Sequence, residues 1–185
     1  NIETFTEAKV QRVVVTCAHC FNTLRREYPQ LGGQYEVLHH TELLERLVAD
    51  GRLVPVAPAD GTASGSVTYH DPCYLGRHNE VYAPPRELLK ASGVRLAEMP
   101  RTQERSFCCG GGGARVWMEE TAGTRIGTDR AAEAVATGAD VIATGCPFCT
   151  VMLTDGVAAQ AGESGAAPAV VDVAQVLLDA VRPRD

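Results

Sequence analysis

Seven cysteines are the most reactive side chains of this 185-residue sequence, and they occur in clusters. Two C-x2-C pairs, Cys17–Cys20 and Cys146–Cys149, lie on either side of a single Cys73 and the adjacent residues Cys108 and Cys109. Such spacings are typical of thiols that bind metal in a reducing compartment, whereas secreted disulfide scaffolds carry evenly paired cysteines in much shorter chains. We therefore expect reduced, metal-binding cysteines.

From Cys73 onward, five cysteines follow the pattern C-x34-C-C-x36-C-x2-C, in which Gly110 is the first of the 36 residues after the adjacent pair. A structural zinc ion takes four ligands, and a cubane iron–sulfur cluster also takes four thiolates. A fifth thiol favours a larger inorganic cluster, since an adjacent cysteine pair reaches two different metal atoms more easily than one. Two alternatives stay open: a zinc-binding structural or docking module that uses four thiols, and a thiol–disulfide oxidoreductase, for which C-x2-C is also typical.

The adjacent cysteines lead directly into four glycines, in the segment SFCCGGGG at residues 106–113. A glycine run loses much conformational entropy on folding. Without Cβ atoms, however, its backbone can approach bridging sulfides closely and donate N–H groups to them. We therefore expect Gly110 and Gly111 to contribute to a cofactor-binding cradle. The glycine run lacks the Lys-Ser/Thr of a phosphate-binding loop, so we do not expect it to bind a nucleotide.

Alternating strand and helix patterns must position these cysteines. Apolar, β-branched runs predict strands at 13–16, 35–38, 66–70, 94–98, 140–144 and 169–171. Helical patterns lie at 21–28, 41–49, 85–92, 116–120, 129–137, 147–157 and 173–181. We expect an α/β fold with a Rossmann-like parallel sheet flanked by helices. The loops after parallel strands meet at one sheet edge, so thiols from three distant segments would converge there.

Two parts of the sequence resemble each other. VVVTCAHCFNTL at 13–24 matches IATGCPFCTVML at 142–153, with Cys17 aligned to Cys146 and Cys20 to Cys149. Each copy reads strand, C-x2-C, helix, strand, helix. We therefore expect the back half of a first unit at 1–54, a linker at 55–65 and a complete second unit at 66–185. Because the sequence starts at Asn1, we also expect it to be a C-terminal fragment of a longer protein.

Several neighbours of the cysteines have both a functional and a structural interpretation. His70 and Asp71 either hydrogen-bond to a ligand sulfur or simply end a strand and begin a turn. His39 and His40 are expected at the surface or as helix caps. Trp117 is expected in the core, as is Met118, because both fall on the apolar face of a helical pattern.

The net charge of −6 argues against nucleic acid as a partner, because binding to phosphates needs basic patches. No stretch approaches 18 uninterrupted apolar residues, so we do not expect this segment to span a membrane itself.

The five-cysteine pattern resembles the CCG cysteine-rich domain, which typically occurs in duplicate in heterodisulfide reductase B-type subunits and in iron–sulfur subunits of related oxidoreductases. The strings HDPCYLGRHNEVY, CCGGGGARVWMEE and CPFCTVMLTDGV are most similar to iron–sulfur reductases of actinobacteria, of the electron-transfer flavoprotein–menaquinone reductase type. The resemblance extends over essentially the whole sequence.

The resemblance implies a noncubane [4Fe-4S] cluster held by five cysteines: Cys73, Cys108, Cys109, Cys146 and Cys149. It implies that Cys17 and Cys20 are the last two ligands of a first cluster, whose other ligands this sequence lacks. Electrons would pass from an electron-transfer flavoprotein or another flavoprotein to a quinone or disulfide, with this fragment inactive alone. The resemblance also implies contact with other domains of the parent chain, a location on the cytoplasmic side, and membrane contact only through other parts of a parent protein anchored to the plasma membrane. Zinc stays the alternative occupant.

Overall fold

A computed structural model of the protein describes residues 1–56, 65–118, 123–160 and 167–181. Its strands are β1 (Arg12–Val15), β2 (Glu36–His39), β3 (Ser66–His70), β4 (Arg95–Leu96), β5 (Val141–Thr144) and β6 (Ala169–Asp172). Its α-helices are α1 (Ile2–Glu7), α2 (Ala18–Asn22), α3 (His40–Ala49), α4 (Ala83–Ala91), α5 (Ile126–Val135), α6 (Pro147–Gln160) and α7 (Val173–Val181).

The strands of this described part form two parallel sheets. β1 pairs with β2, and the larger sheet has the order β4-β3-β5-β6. The middle strand β3 is buried along its whole length, which is typical of parallel strands covered on both faces. The predicted α/β fold with a parallel sheet flanked by helices is confirmed.

The two sheets meet at their carboxyl ends. The ring of His39, the last residue of β2, lies with Nε2 3.0 Å from the carbonyl oxygen of Gly145, just after β5. Nearby, Nε2 of His40 lies 2.8 Å from a carboxylate oxygen of Asp172, at the end of β6. Both imidazoles are buried, so these contacts hold the strand ends together away from water.

The order β1–α2–β2–α3 has the same sequence of elements as β5–α6–β6–α7. In both, a strand leads into a helix that begins next to a cysteine, Cys17 in the first and Cys146 in the second. The division into units at 1–54 and 66–185 stays a prediction, and most of the expected linker at 55–65 lies outside the described residues.

Two local predictions differ from the structure. The helix expected at 21–28 begins earlier as α2, and continues as a π-helical turn (Thr23–Glu27) and a 3-10 turn (Tyr28–Leu31). The helix expected at 116–120 is a 3-10 turn (Arg115–Trp117), while residues 119 and 120 lie outside the described part. None of the described helices combines the length and apolar character that crossing a bilayer requires.

Candidate metal centre

Each candidate ligand lies where the chain leaves a regular element. Cys73 lies three residues after the last residue of β3, and Cys146 two residues after the last residue of β5. Cys149 lies in the first turn of α6, which begins at Pro147. Because β3 and β5 are neighbouring parallel strands, their carboxyl ends place these segments at one edge of the sheet.

A continuous series of interacting sulfur atoms connects the predicted ligands. Cys73 interacts with Cys108, and Cys108 with Cys109. Cys109 interacts in turn with Cys149, and Cys149 with Cys146. All five are free thiols, of which Cys73 and Cys108 are half-buried and the other three are buried. The structure therefore brings all five together; their role as ligands stays a prediction.

Because the sulfurs lie close together, the pKa values of neighbouring thiols are shifted in opposite directions. Hydrogen bonding with Cys109 and Cys73 lowers the pKa of the Cys108 thiol, and the same interaction with Cys108 raises the pKa of Cys73. Hydrogen bonding with Cys149 lowers the pKa of Cys146, while Cys109 and Cys146 raise the pKa of Cys149. The pKa of Cys109 is also raised, mainly by Cys108, so Cys108 and Cys146 favour the thiolate while Cys73, Cys109 and Cys149 favour the thiol. A bound metal cation would allow every sulfur to be a thiolate, so this donor set suits metal binding.

Gly110 and Gly111, which follow the adjacent cysteines, pack closely against the five-cysteine group. The backbone N–H of Gly110 donates to Sγ of Cys108 at 3.3 Å, and Gly110 has a φ of +84° that other residues adopt with strain. A Cβ on Gly111 would lie 3.1 Å from Cγ of Met152 and 3.7 Å from Sγ of Cys109. Close approach of the backbone to the sulfurs therefore depends on these two glycines; their role in a cofactor-binding cradle stays a prediction.

The two cysteines of the first C-x2-C pair lie in different environments. Cys17 is buried and its sulfur interacts with that of Cys146, which raises the pKa of Cys17. Cys20 is exposed. The structure therefore places Cys17 beside the five-cysteine group and Cys20 outside it.

His19, which sequence reasoning missed, also reaches this group. Its Nδ1 lies 3.8 Å from Sγ of Cys146. Its ring packs between Tyr74 and Phe148, with centroids 4.6 Å and 5.2 Å away. The available signal was its position inside the C-x2-C pair, directly between two candidate ligands.

His70 and Asp71 have separate roles. The Asp71 carboxylate forms a bidentate ion pair with Arg86, at 2.8 Å and 2.9 Å. Burial alone would raise the pKa of Asp71, but Arg86 and the hydrogen bonds from Gln103 N–H and Thr102 hydroxyl lower it. Asp71 therefore anchors the segment that leads to Cys108. By contrast, a ring nitrogen of His70 lies within 4.8 Å of the sulfurs of Cys109 and Cys149.

Of the predictions for the remaining neighbours, the one for His39 is confirmed and the one for Trp117 and Met118 is wrong. His39 caps α3, because its backbone N–H donates to Glu42 and its Nδ1 accepts from the N–H of Thr41. The prediction that Trp117 and Met118 are core residues is wrong: they are 82% and 60% exposed. A short 3-10 turn replaces the expected helix there, so helical spacing does not decide which side chains are buried.

A family model described as "Cysteine-rich domain" (CCG) matches residues 1–25 and 67–154, which is more than half of the chain. The chain belongs to this CCG family. Both matched ranges end shortly after a C-x2-C pair, and the second contains the five-cysteine group.

Individual proteins also match nearly the whole chain. An "EtfAB:quinone oxidoreductase" of Syntrophomonas wolfei is 43% identical over 98% of this chain and 26% of its own length. A "Probable iron-sulfur-binding oxidoreductase" of Bacillus subtilis is 45% identical over 100% of this chain and 26% of its own length. One of the heterodisulfide reductase subunits of Methanosarcina acetivorans is 37% identical over 96% of this chain and 43% of its own length. The chain spans about a quarter of the length of the first two relatives.

Proposed function

We propose that this chain holds an iron–sulfur cluster through Cys73, Cys108, Cys109, Cys146 and Cys149, and that it transfers electrons within a larger oxidoreductase. The observation that carries this proposal is the continuous series of five interacting sulfurs at the carboxyl end of the sheet. When bound, the cluster would supply one-electron redox chemistry at this edge.

The number of sulfurs supports a noncubane [4Fe-4S] cluster over the alternatives. Zinc uses four ligands and a dithiol exchanger uses two, so each leaves part of the group without a role. Besides each other, the adjacent Cys108 and Cys109 interact with different partners, Cys73 and Cys149, which supports the proposal that they would bind different metal atoms.

The protein residues around the five cysteines hold the sulfurs in place and exclude water from the buried ones. The buried sulfurs of Cys109, Cys146 and Cys149 pack in an apolar cluster that also contains Leu75 and Met152. Cys73 and Cys108 are half-buried and lie on the side nearer to solvent. Because these two sulfurs are the more accessible members of the group, we propose that electron partners dock on this side.

The names of the relatives favour particular electron partners. On this basis we propose a flavoprotein, such as an electron-transfer flavoprotein, as donor and a quinone or a disulfide as acceptor. Cys17 and Cys20 would belong to a further cluster completed by residues outside this chain. Other parts of the longer protein would make any contact with a membrane, and this segment alone would be inactive.

Metal and sulfide analysis after anaerobic purification tests the proposal. We expect iron together with acid-labile sulfide in the wild-type chain, loss of both in Cys149→Ser, and no loss in the matched control Cys20→Ser, whose side chain is exposed. Zinc without sulfide would contradict the proposal and support the structural module. Thiol–disulfide exchange that survives the loss of Cys73, without bound iron, would support the dithiol class.

A further inference from the structure

We propose that His70 donates a hydrogen bond from Nε2 to a sulfur of the metal centre and is not itself a metal ligand. The proposal rests on the proposed function for its consequence, since the sulfur belongs to the five-cysteine group. The structural argument concerns the protonation of one buried ring.

The position of His70 suits either role. Its side chain is 1% exposed, and a ring nitrogen lies within 4.8 Å of the sulfurs of Cys109 and Cys149. One imidazole nitrogen and two thiols at this distance also describe three ligands of a zinc site. Proximity alone therefore does not decide between a ligand and a hydrogen-bond donor.

The hydrogen bond that Nδ1 makes decides between them. Nε of Arg130 lies 3.0 Å from Nδ1 of His70. A guanidinium has donors and no acceptor, so Nδ1 must present its lone pair to Arg130. In a neutral imidazole, the proton is then on Nε2.

A metal-binding histidine needs the opposite arrangement. Its second nitrogen normally donates its N–H to a carboxylate, carbonyl or water, which leaves the lone pair of the first nitrogen for the metal. If Nε2 of His70 bound a metal, Nδ1–H would face the N–H of Arg130, donor against donor. His70 therefore acts through an N–H group.

Buried hydrogen bonds hold the guanidinium of Arg130 in place beside Nδ1 of His70. It is fully buried in α5, and its Nη1 donates to the carbonyl of Arg101 and to the carboxylate of Glu133, each at 2.9 Å. These bonds fix the guanidinium and hence the orientation of the imidazole. Among the described residues, Nε2 of His70 has no hydrogen-bond partner although it is buried. A sulfur of the metal centre, once that centre is bound, would be the acceptor that removes this energetic cost.

Hydrogen bonds to cluster sulfurs raise the reduction potential, because they stabilise the extra negative charge of the reduced form. His70 is thus a positioning and tuning residue. A potential, unlike iron content, distinguishes this role from simple packing.

Two matched variants test the roles of the two ring nitrogens of His70 separately. In His70→Asn, an amide oxygen at the position of Nδ1 still accepts from Arg130, but nothing donates to the sulfur. In His70→Gln, the longer side chain places an amide N–H near the position of Nε2. In potentiometric titrations of the chain reconstituted with iron and sulfide, we expect His70→Asn to shift to a more negative potential and His70→Gln to stay near wild type. An unchanged potential in His70→Asn, or equal shifts in both variants, would overturn the proposal.

A second measurement needs neither variant nor cluster. Nitrogen-15 NMR of the cluster-free wild-type chain reports which nitrogen of His70 carries the proton. We expect Nε2–H, and a proton on Nδ1 would overturn the inference. If the chain takes up no iron, the proposed function fails, while the NMR result still decides the state of His70.

Discussion

The sulfurs of Cys17 and Cys146 lie within 4.8 Å of each other, although the two residues follow strands of different sheets and are 129 positions apart in the sequence. Each follows a parallel strand and directly precedes a helix. The segment that carries Cys17 also carries His19, whose Nδ1 lies 3.8 Å from Cys146. The N-terminal segment therefore forms part of the surroundings of the five-cysteine group.

Cys17→Ala is expected to keep the iron content of the wild-type chain, whereas Cys146→Ala is expected to lose most of it. The reason is that the five proposed ligands are complete without Cys17. Anaerobic iron and sulfide analysis of both variants measures this. Equal iron loss in the two variants would show that Cys17 is a ligand of the same centre.

Gly111→Ala is expected to weaken cluster retention, and Gly112→Ala is its matched control. A Cβ on Gly111 would lie 3.1 Å from Met152 and near Sγ of Cys109, whereas a Cβ on Gly112 meets nothing within 4 Å. Overpacking of this kind costs about 1–3 kcal/mol, with the lower end expected because methionine is flexible. The half-life of the cluster absorbance in air measures retention. Equal half-lives for the two variants would contradict a close cradle.

Gly156→Ala is expected to destabilise the fold by about 1–3 kcal/mol. Its Cβ would lie 2.6 Å from the carbonyl oxygen of Gly127 and 2.8 Å from Cβ of Ala131, so α6 would have to move away from α5. The position of Cys109 depends on the same packing, because a Cβ on Gly127 would lie 3.0 Å from its carbonyl oxygen.

Urea unfolding measures this loss. The control is Thr154→Ala, an exposed substitution in α6, which should change stability by no more than about 0.5 kcal/mol. A Gly156→Ala variant as stable as this control would show that the two helices do not pack as closely as described.

The stability of the cluster-free chain is expected to fall as the pH decreases from 6.5 towards 4. Burial, with a contribution from His40, lowers the pKa of His39 from 6.5 to about 4. Below pH 6.5 the unfolded chain takes up a proton at His39 that the folded chain does not, so folding loses up to about 3 kcal/mol by pH 4. Below the folded pKa, both states are protonated and this contribution changes no further.

Urea unfolding at several pH values between 7 and 4 measures the effect. His39→Gln should be less stable at pH 7, because it loses contacts with Thr41 and Gly145, and should show a smaller decrease with acid. The pKa of His70 is likewise lowered, mainly by burial, to about 3, so part of the acid dependence should persist. An unchanged slope in His39→Gln would contradict a neutral, buried imidazole.

The elements that position the cysteines were predictable because their signals are local. The β-branched run Val13–Val15 ends beside Cys17, and Pro147 marks the beginning of α6. Convergence of Cys73 with Cys146 then follows from parallel pairing of β3 and β5. The sequence predicted a parallel sheet, but not that these two strands are neighbours, because strand order depends on tertiary packing.

The surroundings of the group were less predictable because they depend on tertiary packing. Arg130 has an ordinary sequence context, and its only signal is a position on the same helical face as Gly127 and Ala134. An arginine on such a face is usually a solvated residue rather than a buried donor. The prediction for Trp117 was wrong for the opposite reason, since apolar character alone does not bury a side chain in a short 3-10 turn.

The central claim is that iron binds to five particular sulfurs, and anomalous X-ray diffraction at the iron absorption edge tests it most directly. Crystals grown anaerobically from the reconstituted chain are expected to show several iron positions within bonding distance of Cys73, Cys108, Cys109, Cys146 and Cys149. A single zinc position bound by four of these cysteines, or iron bound elsewhere on the chain, would contradict the account.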